Sequence, residues 1–330
     1  MSAAAKRVFL SGNFLVLVAL FVVAGLISPY FWTTENLLNV IRAASLMGIV
    51  AIGMNVVILA GGIDLSVGSV AALTGAIAAS VWLSGAPPLA FVAIPILVAV
   101  LVGLANGFLI TAIGLQPFVG TLILMTVVRG AGLVYTNGQP IYANYPEPFR
   151  FLSNGWILGL PAPAVIFFAI TLVTWYALKW RVIGRQVYAI GANETAARLS
   201  GVQVNRVKLA TYVYSALLAG VAGLILTARM GSGEPGQAGQ FWELDAIAAV
   251  VIGGTALQGG KGSVWGAFVG ALIIGIVSNL FNLLGVAPQW QQVAKGGIIL
   301  IAVGLQYFND HARVAWTMFR ASPRSEGAKP

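Results

Sequence analysis

Runs of about 20 mostly apolar residues recur along almost the whole chain, and no other feature restricts its fold as much. A run of that length matches the roughly 30 Å hydrocarbon core of a bilayer, where each backbone amide must find its partner inside the segment, so each run reads as a helix. Breaks at polar residues, Gly and Pro divide the chain into about ten spans, over 13–31, 43–60, 67–84, 89–113, 117–135, 162–180, 209–228, 244–257, 263–285 and 289–308. Charged residues make up 8% of the 330 positions, against roughly 25% in a soluble domain, so no large water-exposed unit remains. The expected fold class is an all-α integral membrane protein of about ten transmembrane helices, some discontinuous. A segment 1–12, a single membrane domain over 13–308 and a tail 309–330 make up its organisation. Lys6 and Arg7 before an apolar run to Ile27 suggest a signal peptide, but Ser28-Pro29-Tyr30-Phe31-Trp32 lacks a small-residue cleavage pattern, so the run is read as an uncleaved first helix.

The formal charge of +9 points to orientation and not to nucleic acid, because the 18 Lys and Arg residues lie in small groups between apolar runs. With a cytoplasmic N-terminus, Lys6, Arg7, Lys179, Arg181, Arg185, Arg198, Arg206, Lys208, Lys261, Arg313, Arg320, Arg324 and Lys329 all fall inside. Arg42, Arg150 and Arg229 fall outside, and Arg129 and Lys295 lie within spans. The positive-inside rule therefore places both termini in the cytoplasm. Cysteine is absent, which excludes disulfides and thiolate chemistry, and the one histidine, His311, lies past the last span. With no nucleophile–base pair and no metal cluster apparent, the chain does not read as an enzyme.

Three segments interrupt the apolar pattern. Gly61-Gly62-Ile63-Asp64-Leu65-Ser66 breaks a hydrophobic stretch that otherwise runs from Leu46 to Leu83. A carboxylate at that depth faces protein or a wet cavity, or caps the next helix, and the glycines permit a broken helix. The loop 181–208 is the one long cytoplasmic connection. Asn193 can cap a short helix Glu194–Ser200 that Gly201 stops, so the loop is expected to present one amphipathic helix. The third segment, 243–266, has an apolar core of only about a dozen residues between Gly pairs, which suits a discontinuous helix. Its Gly259-Gly260-Lys261-Gly262-Ser263 is not a phosphate loop, since Thr255 stands where Gly is needed and Gly262 where Ser or Thr is needed. Segments one and three echo each other, Val56-Val57-Ile58 and Val250-Val251-Ile252 each preceding a Gly pair. Gly266 and Gly270 have helix-packing spacing.

Few polar side chains are available for a wet path. Asn55, Asp64, Ser66, Thr121, Asn279 and Asn282, with the backbone at Gly61 and Gly62, are candidates, and Arg129 and Lys295 join them unless they reach an interface. Each could equally bond helix to helix. The outer loops 136–161 and 229–243 carry Glu147, Arg150, Arg229, Glu234 and Glu243, charges suited to steering a partner.

Gly61–Ser69, the Asn193-Glu194-x-x-Ala-x-Leu-Ser-Gly loop, the run Glu243–Thr255 and Leu283-Leu284-Gly285-Val286 together resemble, in order, the permease subunits of ribose-type bacterial sugar ABC importers. The resemblance covers nearly the whole chain. It implies a homodimer or heterodimer of permeases in the bacterial inner membrane, importing a pentose or hexose. An ATP-binding subunit carrying ATP and Mg would lie below and a periplasmic sugar-binding protein above, with no cofactor on this chain. It also implies that Asn193, Glu194, Ala196, Ala197, Arg198, Leu199, Ser200 and Gly201 form a coupling helix seated in the ATPase. An ion-coupled secondary transporter of a small polar solute is the alternative, with Asp64 as the one clear acidic group to couple it.

Overall fold

The computed structural model describes residues 12–301 and 303–304; Lys6, Arg7, His311, the end of the tenth expected span and the tail lie outside them. The described part is mostly helical. Helix α1 (Gly12–Ile27) leads through a 3-10 turn (Pro29–Trp32) to Thr33, whose hydroxyl accepts from the Asn36 amide at 3.3 Å and starts α2 (Thr34–Leu59). This start lies well before the expected boundary at 43, because a polar N-cap and Glu35 in the first turn extend the helix beyond its apolar stretch.

Helices α3 (Val67–Leu83), α4 (Ala90–Thr111) and α5 (Pro117–Tyr135) follow, α5 opening on a proline that needs no amide partner there. The connection after α5 contains β1 (Ile141–Tyr142), α6 (Glu147–Asn154) and a hairpin of β2 (Trp156–Ile157) and β3 (Leu160–Pro161). Next come α7 (Ala162–Trp180), α8 (Val182–Ala192), α9 (Glu194–Leu199) and α10 (Val204–Met230). Strand β4 (Ser232–Gly233) pairs antiparallel with β1 and so ties the two outer loops of the sequence reading together. Then follow α11 (Trp242–Ile252), α12 (Val264–Leu283) and α13, helical over 288–301.

Six of these helices, α2, α4, α5, α7, α10 and α12, are long and apolar enough to cross a membrane, with 19 to 27 residues each, while α1 and α3 are shorter apolar helices. The chain is therefore a helical membrane protein. Its centre is α2, buried almost continuously from Ala44 to Leu59, with α10 beside it. The outer helices are apolar on their exposed faces too, as Leu97, Leu101 and Phe108 on α4 and Val127 and Val134 on α5 show, which is a surface fit for lipid and not for water. Close backbone approaches fasten the bundle. Gly103 and Gly107 of α4 lie against the backbone of Val213 and Leu209 on α10, and Gly266 and Gly270 of α12 against Gly253 and Ala249 at the end of α11. A Cβ at any of them would meet main-chain atoms.

Two expectations need correction or sharpening. The loop 181–208 holds two helices instead of one, because Val182–Ala192 is itself amphipathic and buries Gly184, Val187 and Ile190. The expected span 244–257 is an 11-residue helix ending at Ile252, about 16 Å long and half of a bilayer core.

Candidate functional site

Both interrupted segments enter the bundle. Counting along α10 from Val204, the level of Ser215 is roughly 16 Å inside that helix. Gly53 of α2 packs on the Ser215 backbone, and Ala71 of α3 reaches Gly223, so α3 begins near mid-bundle, while α2 ends closer to the α8–α9 end. The Gly61–Ser66 link thus turns back inward, made possible by Gly61 at φ +79° after the last turn of α2. On the other side, β4 lies against Gly75 and Ala76 in the middle of α3, and the chain then runs along α3 until Gly239 touches Gly68. Only there does α11 begin, with the Glu243 carboxylate near Gly68. The first turns of two helices, α3 and α11, therefore meet inside the bundle. Loop 231–241 is re-entrant.

Arg129 on α5 holds that loop. Through Nη1 it donates to the carbonyl of Pro235 at 2.8 Å and of Ala238 at 2.7 Å, so it binds backbone and does not reach to an interface. Lys295 of α13 donates to the Asp245 carboxylate at 2.8 Å, with both side chains mostly buried. The short helix α11 is thus flanked by one cation on its entry loop and one on its first turn. These two contacts join residues 106 or more and 50 apart, and the sequence carries no local sign of either pairing.

Asp64 is fully buried, and its Oδ1 accepts from the Ser66 amide at 3.0 Å, the Ser66 hydroxyl at 2.7 Å and the Asn106 amide at 3.5 Å. Tyr212 and Ser215 of α10 flank the carboxylate, although neither hydroxyl, nor Oδ2, nor the Asn106 carbonyl oxygen completes a hydrogen bond of normal geometry. Asp64 and Ser66 therefore share one oxygen-rich cluster that links three elements. Asn106, Tyr212 and Ser215 escaped the sequence reading, though Asn106 stands alone in an apolar window and was the one visible sign. Gly62 lies under the Tyr212 hydroxyl, leaving no room for a side chain.

The remaining candidates lie apart. Asn55 is buried and accepts from the Thr255 hydroxyl at 2.8 Å, joining α2 to the segment after α11; the two echoing segments of the sequence thus pack on each other. Thr121 donates to the Pro117 carbonyl of its own helix at 2.9 Å. Asn279 exchanges hydrogen bonds with Asn36, at 2.7 and 3.2 Å, and Asn282 accepts from Gln291 at 3.0 Å. These bonds fasten α12 to α2 and to α13, away from Asp64.

At the α8–α9 end, Asn193 caps α9 by accepting from the Ala196 amide at 2.9 Å. Ala197 turns into the bundle, while Leu199, 85% exposed, points away from it. Glu194 pairs with Arg198 at 3.1 Å and with Lys208 of α10, and Arg198 reaches Asn205 at 3.2 Å. The hydrogen bond from Lys208 holds the Glu194 carboxyl below its ordinary range. The Ser200 hydroxyl donates to Ala196 O at 2.9 Å, and Gly201 at φ +83° ends the helix. A short, rigidly rooted helix with an exposed leucine results.

The family described as branched-chain amino acid transport system / permease component matches residues 36–303. The ribose import permease protein RbsC of Haemophilus influenzae is 44% identical over 294 residues, covering 88% of this chain and 91% of that protein. RbsC of Bacillus subtilis is 45% identical over 295 residues, again 88% and 91%. The D-allose transport system permease protein AlsC of Escherichia coli is 36% identical over 296 residues, 89% and 90%. No solved structure matches.

Proposed function

The chain belongs to the permease-component family matched over residues 36–303, and from that membership we propose that it is the permease subunit of a bacterial importer for ribose or a closely related monosaccharide. It is a multi-pass inner-membrane transport component and not an ATPase. The observation that carries the choice of solute is the 43–45% identity to ribose permeases from three genera, above the 36% shared with the allose permease.

Ten crossings follow when α1, α3, α11 and α13 are added to the six long helices, α3 and α11 as discontinuous ones. The α8–α9 end faces the cytoplasm in this reading. Lys179, Arg181, Arg185, Arg198, Arg206 and Lys208 gather there, whereas Arg150 and Arg229 lie at the opposite end. Helix α9 is the coupling helix, its Leu199 seated in a groove of a separate subunit that binds ATP and Mg. At the other end α6 and the β1–β4 pair frame a cleft of about 220 Å³ lined by Asn144, Tyr145, Arg150 and Arg229, where a sugar-binding protein docks. Two permeases pair to enclose the path.

Uptake of labelled ribose, allose and a hexose panel into vesicles tests this reading, with and without a cognate ATPase and binding protein. Ribose uptake that requires both partners is the expected result. Uptake by the chain alone on an ion gradient would replace the proposal with ion-coupled transport.

A further inference from the structure

At the α8–α9 end, three separate parts of the chain touch backbone to backbone. Gly191, in the last turn of α8, lies against the Leu59 carbonyl and the Gly260 amide so closely that a Cβ would collide with both. A Cβ on Gly259 would sit 2.9 Å from the Gly61 Cα, and one on Gly260 would sit 2.6 Å from the Ala192 nitrogen. The Gly260 amide donates to Leu59 O at 3.0 Å, and the Tyr188 hydroxyl of α8 to Gly262 O at 3.1 Å. Gly259 and Gly260 both have positive φ, +88° and +70°, so their conformation as well as their space requires glycine.

The three segments of this junction are what a coupling helix would need to reach. Ala192 directly precedes Asn193, the cap of α9. Leu59 and Gly61 end α2 and start the inward link to Asp64, and residues 256–262 follow the half-helix α11. Main-chain atoms of Leu59, Gly61, Gly191, Ala192, Gly259 and Gly260 in such close contact, with one main-chain hydrogen bond across them, leave no flexible side chain between them to absorb a displacement, and the Tyr188 hydroxyl adds a side-chain tie beside them.

Resting on the importer reading, we propose that the Gly61, Gly191 and Gly259-Gly260 junction is a rigid relay. It carries movement of α9 directly to the two interrupted segments in the bundle, with Tyr188 as a positioning residue. The ATPase thereby acts on the mid-bundle meeting of α3 and α11 through backbone contact.

The chain contains no cysteine, so spin labels can be placed on it at Thr195→Cys with Gln258→Cys, and at Thr195→Cys with Asn137→Cys at the opposite end, before assembly with the ATPase and binding protein. Between nucleotide-free and ATP-bound states the first distance is expected to change by less than about 2 Å, an ordinary helix shift, and the second by more. In parallel, Tyr188→Phe, which deletes one hydrogen bond and no volume of consequence, is expected to assemble normally. Its sugar uptake per ATP hydrolysed should fall about twofold to thirteenfold, the factor one such bond corresponds to. A first distance that shifts further, a second that stays fixed, or unchanged uptake per ATP in Tyr188→Phe overturns the relay. Failure of the ATPase to associate when Glu194–Ser200 is replaced by Gly/Ser is the separate signature expected of the coupling helix, so the two readings fail independently.

Discussion

Replacing Arg129 with methionine tests the re-entrant loop most directly. Its guanidinium makes two charge-assisted hydrogen bonds to the Pro235 and Ala238 carbonyls, at 2.8 and 2.7 Å. Each such bond contributes about 1.5–3 kcal/mol net, and taking a charge out of water offsets part of the sum, which leaves about 2–4 kcal/mol for the pair. The cost falls on the loop and not on the whole bundle, because the contacts hold 231–241 against α5 while α3 and α10 pack without them. At 1.4 kcal/mol per tenfold, local opening should increase by about 30-fold to 700-fold. Hydrogen exchange of the amides in 236–240, measured in micelles on Arg129→Met and on Arg129→Lys, reads this directly. Lysine retains the charge but is shorter and lacks the fixed planar pair of N–H donors on Nη1, and should lie between methionine and the parent. Exchange within threefold of the parent in Arg129→Met would show that the loop holds its re-entrant path without the Arg129 clamp, which refutes the clamp.

Three further outcomes follow from named contacts. Asn193→Ala should lower ATPase co-purification while Asn193→Asp preserves it, because the cap contributes about 1 kcal/mol to a helix of six residues with little else to start it. Lys295→Ala alone should destabilise the protein in thermal melts more than the double variant Lys295→Ala with Asp245→Asn, since the single change strands a mostly buried carboxylate, worth about 1–3 kcal/mol, and the double one does not. Glu194 has its folded pKa depressed by Lys208, so the stabilisation of α9 on α10 is complete well above the ordinary 4.5, begins to fall as pH approaches that value and is lost as pH falls through the lower folded one. Protease access to 193–203 should accordingly stay constant from pH 7 to about 5 and rise below that, and Glu194→Gln should remove the step.

Features that depend on neighbours along the chain are legible in the sequence alone. Apolar run length marked the six long apolar helices, Asn193 and Gly201 bracketed α9 with their cap and stop geometry, and the short apolar core of 244–257 matches the 11-residue α11. These follow from hydrogen-bond needs within a few residues, which sequence displays directly. The helix Val182–Ala192 in the 181–208 loop is not legible in the sequence because Gly184, Gly191 and the β-branched Val182, Ile183, Val187 and Ile190 do not favour a helix without tertiary support. Tertiary structure alone decided which polar groups meet. Asp64 sits with Asn106, Tyr212 and Ser215, Arg129 with the loop carbonyls, and Lys295 with Asp245, while Thr121 bonds only to its own helix. Within an apolar bundle each buried polar group must find some partner, but many are within reach of a folded chain, and the choice is made by helix rotation and depth. Those depend on where glycines let backbones approach, as at Gly103, Gly191 and Gly260, and a glycine in the sequence does not say which backbone it will meet.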